Sequence, residues 1–410
     1  MKIENVSQIE NLLPSQFIER DLYSSIEKDI EKEEVQIVYG PRQVGKSSLM
    51  YFLMKNIFKP TSDFFYFNLD EIPKTFDSPE IFLADVKSKK KFDGITHIFI
   101  DEVQRKEDIG LFLKYLYDKK AGLKFVVTGS SSLNIKNIVN EPLTGRKFEY
   151  FLRPLSIFEI LRFKGIDAGK TNVSTPDIIT SIEDMLLYGG YPQVVLAPTS
   201  GDKTAKLSEI AKSYITRDLA QTFDLDNARE LEMMAVYLAE NISNILSKEN
   251  ISKMLAIPVY RVDKYLEALE KSFVLDFVKP FYKNPVKEVS HRPKVFFEDN
   301  GIRNTLLRKA SKELISADYG KLFEQTVFQI LRAQYGESVK YWRNINQTEV
   351  DFVVTRPDGV LAFETKYSWD KKAIPQNLKS FESVYKKELL KSYVVEKENL
   401  VFTLFNIENR

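Results

Sequence analysis

Three groups of residues in this sequence have types and spacings suited to chemistry on phosphates. Gly40-Pro41-Arg42-Gln43-Val44-Gly45-Lys46-Ser47 fits GxxxxGK[ST], with Ser48 in the segment that follows. Glycines at those positions let a backbone wrap closely around an anion with its N–H groups turned inward. Lys46 would supply a point charge to the β- and γ-phosphates of ATP, and the Ser47 hydroxyl a ligand for Mg2+. Downstream, HIFIDE (97–102) carries Asp101 and Glu102 out of an apolar run. There Asp101 could hold magnesium through water and Glu102 could act as general base toward an attacking water. In the third group, Asp351 and then Glu364-Thr365-Lys366 follow the spacing D-x12-E-x-K. Two carboxylates on neighbouring strands chelate a hard divalent ion. Glu364 and Lys366 project from one face of a strand, so the lysine could polarise a metal-bound water for attack on a phosphodiester.

Further residues could complete these sites. KFVVTGSSS (124–132) brings Thr128 and Ser130 to a strand end, where a hydroxyl could orient water or sense the γ-phosphate. LTGR (143–146) puts Arg146 just before a fifth strand, as a candidate arginine finger for a neighbouring subunit's nucleotide. Glu324, on an amphipathic helix preceding the Asp351 strand, is a candidate further acidic, catalytic member of the C-terminal group. Gln376, in the helix after Lys366, reads as a solvated glutamine.

Composition limits the alternatives. The 410 residues, 43% hydrophobic and 29% charged, are globular in character and long enough for two to four domains. Without cysteine there are no disulfides, thiolate zinc sites or cysteine nucleophiles. His97 and His291, the two histidines, poorly support histidine zinc sites or Ser-His-Asp catalysis. A formal net charge of +1 neither demands nor excludes nucleic acid. The polar, acidic start does not resemble a signal peptide and no run approaches a membrane span, so no membrane association and a cytoplasmic location are expected.

The elements that must position these residues follow from the pattern of apolar runs. VQIVY (35–39), FFYFNL (64–69), HIFI (97–100), KFVVT (124–128) and FEYFL (148–152) are short and branched, and helical stretches alternate with them. They predict buried strands of a parallel α/β sheet, with ligands at the strands' carboxyl ends. A helical subdomain should follow from about Leu155. LEMMAVYLAENI, SKENISKMLAI and PVYRVDKYLEALEKS, then the strand-like FVLDFVKPF, suggest a helix-turn-helix with a wing. Residues 248–294 hold ten Lys or Arg against six acids. Tyr260, Arg261 and Lys264 are expected to face outward toward duplex DNA, over inward Val262, Leu266 and Leu269. The last unit should begin near Lys294, with a helix over 319–335, strands around VKYW, VDFVV and VLAFETK, and a closing strand near Leu400–Leu404.

Residues 20–200 resemble the AAA-type ATPases of bacteria and archaea that share GPRQVGKS, a second motif ending in DEVQ, and TGSS followed by a GR and PLS signature. Here the corresponding segments read GPRQVGKS, IDEVQ, TGSSSLN and LTGRKFEYFLRPLSIFEI. The resemblance implies a sheet with the Thr128 strand between the phosphate-loop and Asp101 strands, and it raises Arg146 as a finger acting in trans within a homo-oligomer. It also implies continuation into a winged helix and a domain related to restriction nucleases. The expected architecture is an ATPase core over 1–154, a helical lid over 155–229, a winged helix-turn-helix over 230–293, and a PD-(D/E)xK nuclease-like domain over 294–410. The expected function is ATP- and Mg2+-dependent work on DNA. Its rival is a nucleotide-driven switch whose C-terminal domain is an inactive docking module. A protein remodeller ranks behind both, for lack of a pore-loop signature between Asp70 and Ile95.

Overall fold

The computed structural model describes residues 1–130, 142–169, 175–213, 219, 227–282, 288, 291–368 and 374–408. The Ser131–Asn134 part of TGSSSLN, and the lysines at 283 and 287, lie outside the described residues. Two compact units result, Met1–Arg153 and Pro154–Arg410. Among the described residues no helix is long and apolar enough to cross a membrane.

In the first unit, the apolar runs form β2 (Val35–Tyr39), β3 (Asp63–Asn68), β4 (Thr96–Asp101), β5 (Leu123–Gly129) and β6 (Lys147–Phe151), preceded by a short β1 (Lys2–Ile3). The spatial order is β1-β3-β4-β5-β2-β6, parallel throughout except for the antiparallel edge strand β1. A parallel sheet needs cover on both faces. One face is supplied by Val35, Ile37, Phe65, Phe67, Ile98, Ile100, Phe125 and Val127. It packs on Phe82 and Val86 of the helix Pro79–Lys89 and on Phe112, Leu113 and Leu116 of the helix Ile109–Asp118. β5 lies between β2 and β4, as the resemblance implied. β1 was not foreseen: two residues of an otherwise polar start cap the sheet edge, and the Lys2 ammonium pairs with the buried Asp63 at 2.6 Å.

The second unit opens with helices. Pro176–Tyr188 ends at Gly189 and receives the short helix Asn300–Leu306. Asp299 caps that short helix, accepting from the Ile302 amide at 3.0 Å and from the Gly190 amide at 2.7 Å. Burial pushes its pKa up to about 6, against the pull of the Gly190, Ile302 and Gly301 amides. Asn304 donates to the carbonyls of Leu186 and Leu187 at 2.9 Å each, satisfying two acceptors of the last turn of the Pro176–Tyr188 helix. The helices Ala228–Glu240, Lys248–Leu255 and Val259–Lys271 lead into β7 (Leu275–Val278), which pairs antiparallel with β8 (Lys294–Phe297). The boundary expected at 293/294 therefore runs through a strand pair.

After the helix Tyr319–Tyr335 come β9 (Val339–Arg343), β10 (Glu349–Arg356), β11 (Gly359–Lys366) and β12 (Leu389–Glu396), in the order β12-β11-β10-β9. β9, β10 and β11 are antiparallel, and β12 joins β11 in parallel by way of the helix Gln376–Val384. Val350, Val353, Val360 and Ala362 pack with Phe281, Trp342 and Phe381. Phe352 meets Phe296 and Phe328. The strand expected near Leu400–Leu404 is instead the helix Leu400–Glu408, and β12 over 389–396 is the true closing strand. Buried Leu400, Val401, Leu404 and Ile407 recur at helical spacing, a period that a five-residue window cannot distinguish from a strand.

A Cβ built on Gly301 would stand 2.2 Å from the Tyr188 carbonyl oxygen, a backbone atom that cannot yield cheaply. Gly301→Ala is expected to destabilise the second unit by about 1–3 kcal/mol. A thermal melt indistinguishable from that of the parent chain would refute the close approach.

Candidate nucleotide site and a carboxylate–lysine cluster

β2 delivers its chain to Gly40, where φ is 155° and a Cβ would collide with the Leu152 carbonyl oxygen at 2.2 Å. Gln43 (φ 62°) and Gly45 (φ 94°) adopt left-handed backbone, which turns the loop back before the helix Lys46–Ile57 begins. Inside this loop the Lys46 ammonium is buried and donates to the carbonyls of Gly40 at 3.1 Å and Pro41 at 2.7 Å. Burial pushes its pKa down to about 8, with Glu102 and Asp101 acting in the opposite sense. Ser47 and Ser48 stand half-buried in the first helical turn, while Pro41 and Val44 are buried and Gln43 is exposed. The loop is also held from outside the motif. The buried Arg20 guanidinium donates to the Val44 carbonyl at 2.8 Å and to the Arg153 carbonyl at 2.6 Å. Nothing in its sequence surroundings marked Arg20.

Asp101, 3% exposed, ends β4. Its Oδ1 accepts from the Thr128 hydroxyl on neighbouring β5 and from the Glu102 amide at 3.1 Å. Glu102 has φ 56°, an uncommon conformation for a side chain of its kind and one that re-aims the carboxylate as the strand ends. That carboxylate accepts from the Gln104 amide group and, at 3.4 Å, from the Ser130 hydroxyl, and Gln104 in turn donates to Ser130 Oγ at 3.0 Å. Lys46, Asp101, Glu102, Thr128 and Ser130 are thus brought together at the carboxyl ends of adjacent strands. Gln104, the last residue of the DEVQ motif, completes the network. Arg146 lies at the opposite end of the sheet, where its carbonyl accepts from the Val35 amide at 2.9 Å and its Nε pairs with Asp118 at 2.9 Å. It is remote from its own phosphate loop.

Among the described residues no group of three or more histidine, aspartate or glutamate side chains converges as a metal site. The phosphate loop still fits magnesium, because that ion is commonly held by one or two protein oxygens together with substrate phosphates and water.

In the second unit, Glu364 and Lys366 on β11 form an ion pair at 2.6 Å. Asp351 on β10 accepts from the Thr365 amide and hydroxyl at 2.7 Å each. Glu364 is 2% exposed, and its Oε2 has no hydrogen-bond partner among the described residues. Burial first and the Asp351 charge second push its pKa up to about 7, opposed by Lys366 and by the nearby Asn377 amide. A buried, unsatisfied carboxylate oxygen beside a second carboxylate suits a hard cation.

Glu324, expected as a further acidic member, stands beside this cluster with its Oε1 paired to Lys294 at 3.1 Å, and Lys294 also pairs with Glu349 at 2.5 Å. Burial raises the Glu324 pKa to about 7, with Lys294 opposing and Asp351 reinforcing the rise. Lys294, counted from sequence among surface bases, is 2% exposed. Arg261, expected to face outward, is instead held by Glu230 through its guanidinium at 2.7 and 2.9 Å. Lys248, Lys271 and Arg292 are paired with Asp263, Glu267 and Glu249. Val262, Leu266 and Leu269 are buried as expected, and Tyr260, Lys253 and Lys279 remain exposed.

Residues 32–161 match a family model described as an AAA domain. Residues 179–313 and 319–408 match two domains of unknown function, DUF8612 and DUF4143. An uncharacterised protein of Methanocaldococcus jannaschii is 24% identical over 93% of this chain and 86% of its own length. Another, of Haemophilus influenzae, is 25% identical over 84% of each chain. Among solved structures, the ORC2 protein of Aeropyrum pernix in ADPNP–ADP complexes aligns with 75% of this chain and 97% of its own, at 13% identity and a TM-score of 0.46. That similarity is too low to carry a functional argument. Over residues 32–161 the chain is similar to AAA domains, and the loop geometry agrees with a P-loop nucleotide-binding fold there.

Removing the Arg20 guanidinium would take away its hydrogen bonds to the Val44 and Arg153 carbonyls. Arg20→Met is expected to weaken nucleotide binding about ten-fold by loosening the loop. Titration with a fluorescent ATP analogue would read this, and unchanged affinity would remove Arg20 from the loop's support.

Proposed function

We propose that the first unit binds and hydrolyses ATP, and that the second unit applies the resulting change of state to duplex DNA. The observation that carries the ATPase reading is the meeting of buried Lys46 with the Asp101–Thr128 and Glu102–Gln104–Ser130 networks at adjacent strand ends. Lys46 would neutralise the β- and γ-phosphates while the loop N–H groups of residues 40–47 orient them. Ser47 and Asp101 would hold magnesium, which when bound offsets the negative charge of the transferring phosphoryl group. Glu102 would take the proton of the attacking water, with Gln104 and Ser130 keeping its carboxylate oriented and Thr128 keeping Asp101 turned to the loop. Arg146, remote from its own loop, suits a finger offered to a neighbouring copy in a homo-oligomer.

In the second unit, three helices followed by the β7–β8 pair support a winged helix. The antiparallel β9–β10–β11 with parallel β12, and Asp351, Glu364 and Lys366 on its central strands, support a nuclease-like domain. Asp351 and Glu364 would hold one magnesium ion, which supplies an activated water, and Lys366 would hold that water for attack on a phosphodiester.

One observation favours the docking-module alternative. Arg261, Lys248, Lys271 and Arg292 are neutralised within the chain, so the second unit offers less positive charge to phosphates than its sequence promised. DNA affinity that is insensitive to salt, or absent, would select that reading.

Lys46→Ala is expected to abolish ATP turnover; a variant as active as the parent would overturn the assignment. Gln104→Ala should lower kcat about ten-fold with KM little changed, because it disturbs only the orientation of Glu102. For the second unit, plasmid incubated with magnesium and ATP should be cut by the parent chain and not by Asp351→Ala or Lys366→Ala. Intact plasmid in every lane would remove the nuclease while leaving the ATPase standing.

A further inference from the structure

We propose that the Lys294 ammonium is a built-in cation of the C-terminal cluster, occupying the place between Glu324 and Glu349 that a second divalent ion would otherwise fill. The cluster then accepts a single metal ion, at Asp351 and Glu364. This rests on the reading of that pair as metal-holding.

Lys294 reaches the cluster from β8, outside the four-stranded sheet that carries Glu349, Asp351 and Glu364. Its side chain is 2% exposed, so it cannot serve as a surface contact to DNA. The ammonium lies 2.5 Å from Glu349 Oε1 and 3.1 Å from Glu324 Oε1, and 5.5 Å from the centre of the Tyr341 ring. Burial alone would favour its neutral form, but Glu324, Glu349 and Asp351 together hold it charged. The two glutamates have thereby spent their charge on a tethered ligand.

The partner groups divide accordingly. Glu364 is committed to Lys366 through Oε1, and its Oε2 is buried with no hydrogen-bond partner among the described residues. Asp351 is oriented by Thr365 and feels the charges around both lysines. Lys294 and, 3.7 Å from Glu349, Arg343 together face Glu324 and Glu349, while among the described residues Asp351 and Glu364 share Lys366 alone, so the excess of acid lies at the second pair. A buried cluster far from neutrality is costly, so this charge count favours one ion.

The experiment counts bound Mn2+ by electron paramagnetic resonance on the full chain without nucleotide, alongside thermal melting with and without Mn2+. The parent chain should bind one Mn2+ that Asp351→Ala removes. Lys294→Met should melt lower without metal, bind one ion more than the parent, and gain more in Tm from Mn2+ than the parent does. Lys294→Arg should behave as the parent. A Lys294→Met chain that binds no additional Mn2+ overturns the proposal. If that variant folds neither with nor without Mn2+, Glu324→Gln decides. Mn2+ affinity within about two-fold of the parent upholds the assignment, while a loss of about ten-fold or more identifies Glu324 as a metal ligand and overturns it. A parent chain that binds no Mn2+ sinks the nuclease-like reading and the single-ion count with it, while the gain of an ion by Lys294→Met still tests whether the ammonium holds a cation's place.

Discussion

Burying an ammonium group beneath a loop of backbone carbonyls is expensive, and the first unit is arranged around that cost. Lys46 is removed from water by the loop that it serves, and among the described residues the carbonyls of Gly40 and Pro41 and the field of Asp101 and Glu102 compensate it. The loop can enclose it because Gly40 passes against Leu152 where a side chain would not fit, and because Gln43 and Gly45 accept left-handed backbone. Arg20 then fastens the loop from behind. A phosphate group entering this cup would meet a cation that is poorly solvated and already positioned, so little reorganisation is needed on binding.

The sheet order extends this arrangement to the acids. Since β5 separates β2 from β4, Thr128 and Ser130 stand between the loop and the acidic pair, and they bond to Asp101 and Glu102 respectively. These side chains have few rotamers and are held in a hydrogen-bonded chain that includes Gln104. The left-handed Glu102 is part of the same device, because it bends the chain where the strand must end and the carboxylate must turn.

The parts of this architecture with a short-range signal were legible in the sequence. Five strands announced themselves through branched and aromatic runs, four of them buried and β6 a partly exposed edge strand, and the phosphate loop through its glycines and Lys46-Ser47. Asp351, Glu364 and Lys366 were legible from spacing because strand periodicity puts Glu364 and Lys366 on one face. What escaped depended on partners far along the chain. Arg20 acts on Val44 and Arg153, Glu230 captures Arg261, and Lys294 finds Glu324 and Glu349. A tally of charges along residues 248–294 cannot separate a base that faces water from one that faces an acid 30 or 50 positions away. The helix Leu400–Glu408 was misread for another reason: LVFTLF is apolar enough to suit either period, and its four buried positions become diagnostic only over the full element.

The contacts around Asp299 bear on how the second unit is made. Gly189, Gly190 and the end of the Pro176–Tyr188 helix are completed by Asp299, Gly301 and Asn304, roughly a hundred residues further along the chain. During synthesis the earlier helix emerges with its terminal carbonyls unanswered and waits for a cap that the ribosome has not yet produced. Closure over so long a loop is entropically slow, and the waiting segment is exposed to misassociation meanwhile. A chain cut anywhere between these segments would keep the phosphate loop and lose the clasp that finishes its companion unit.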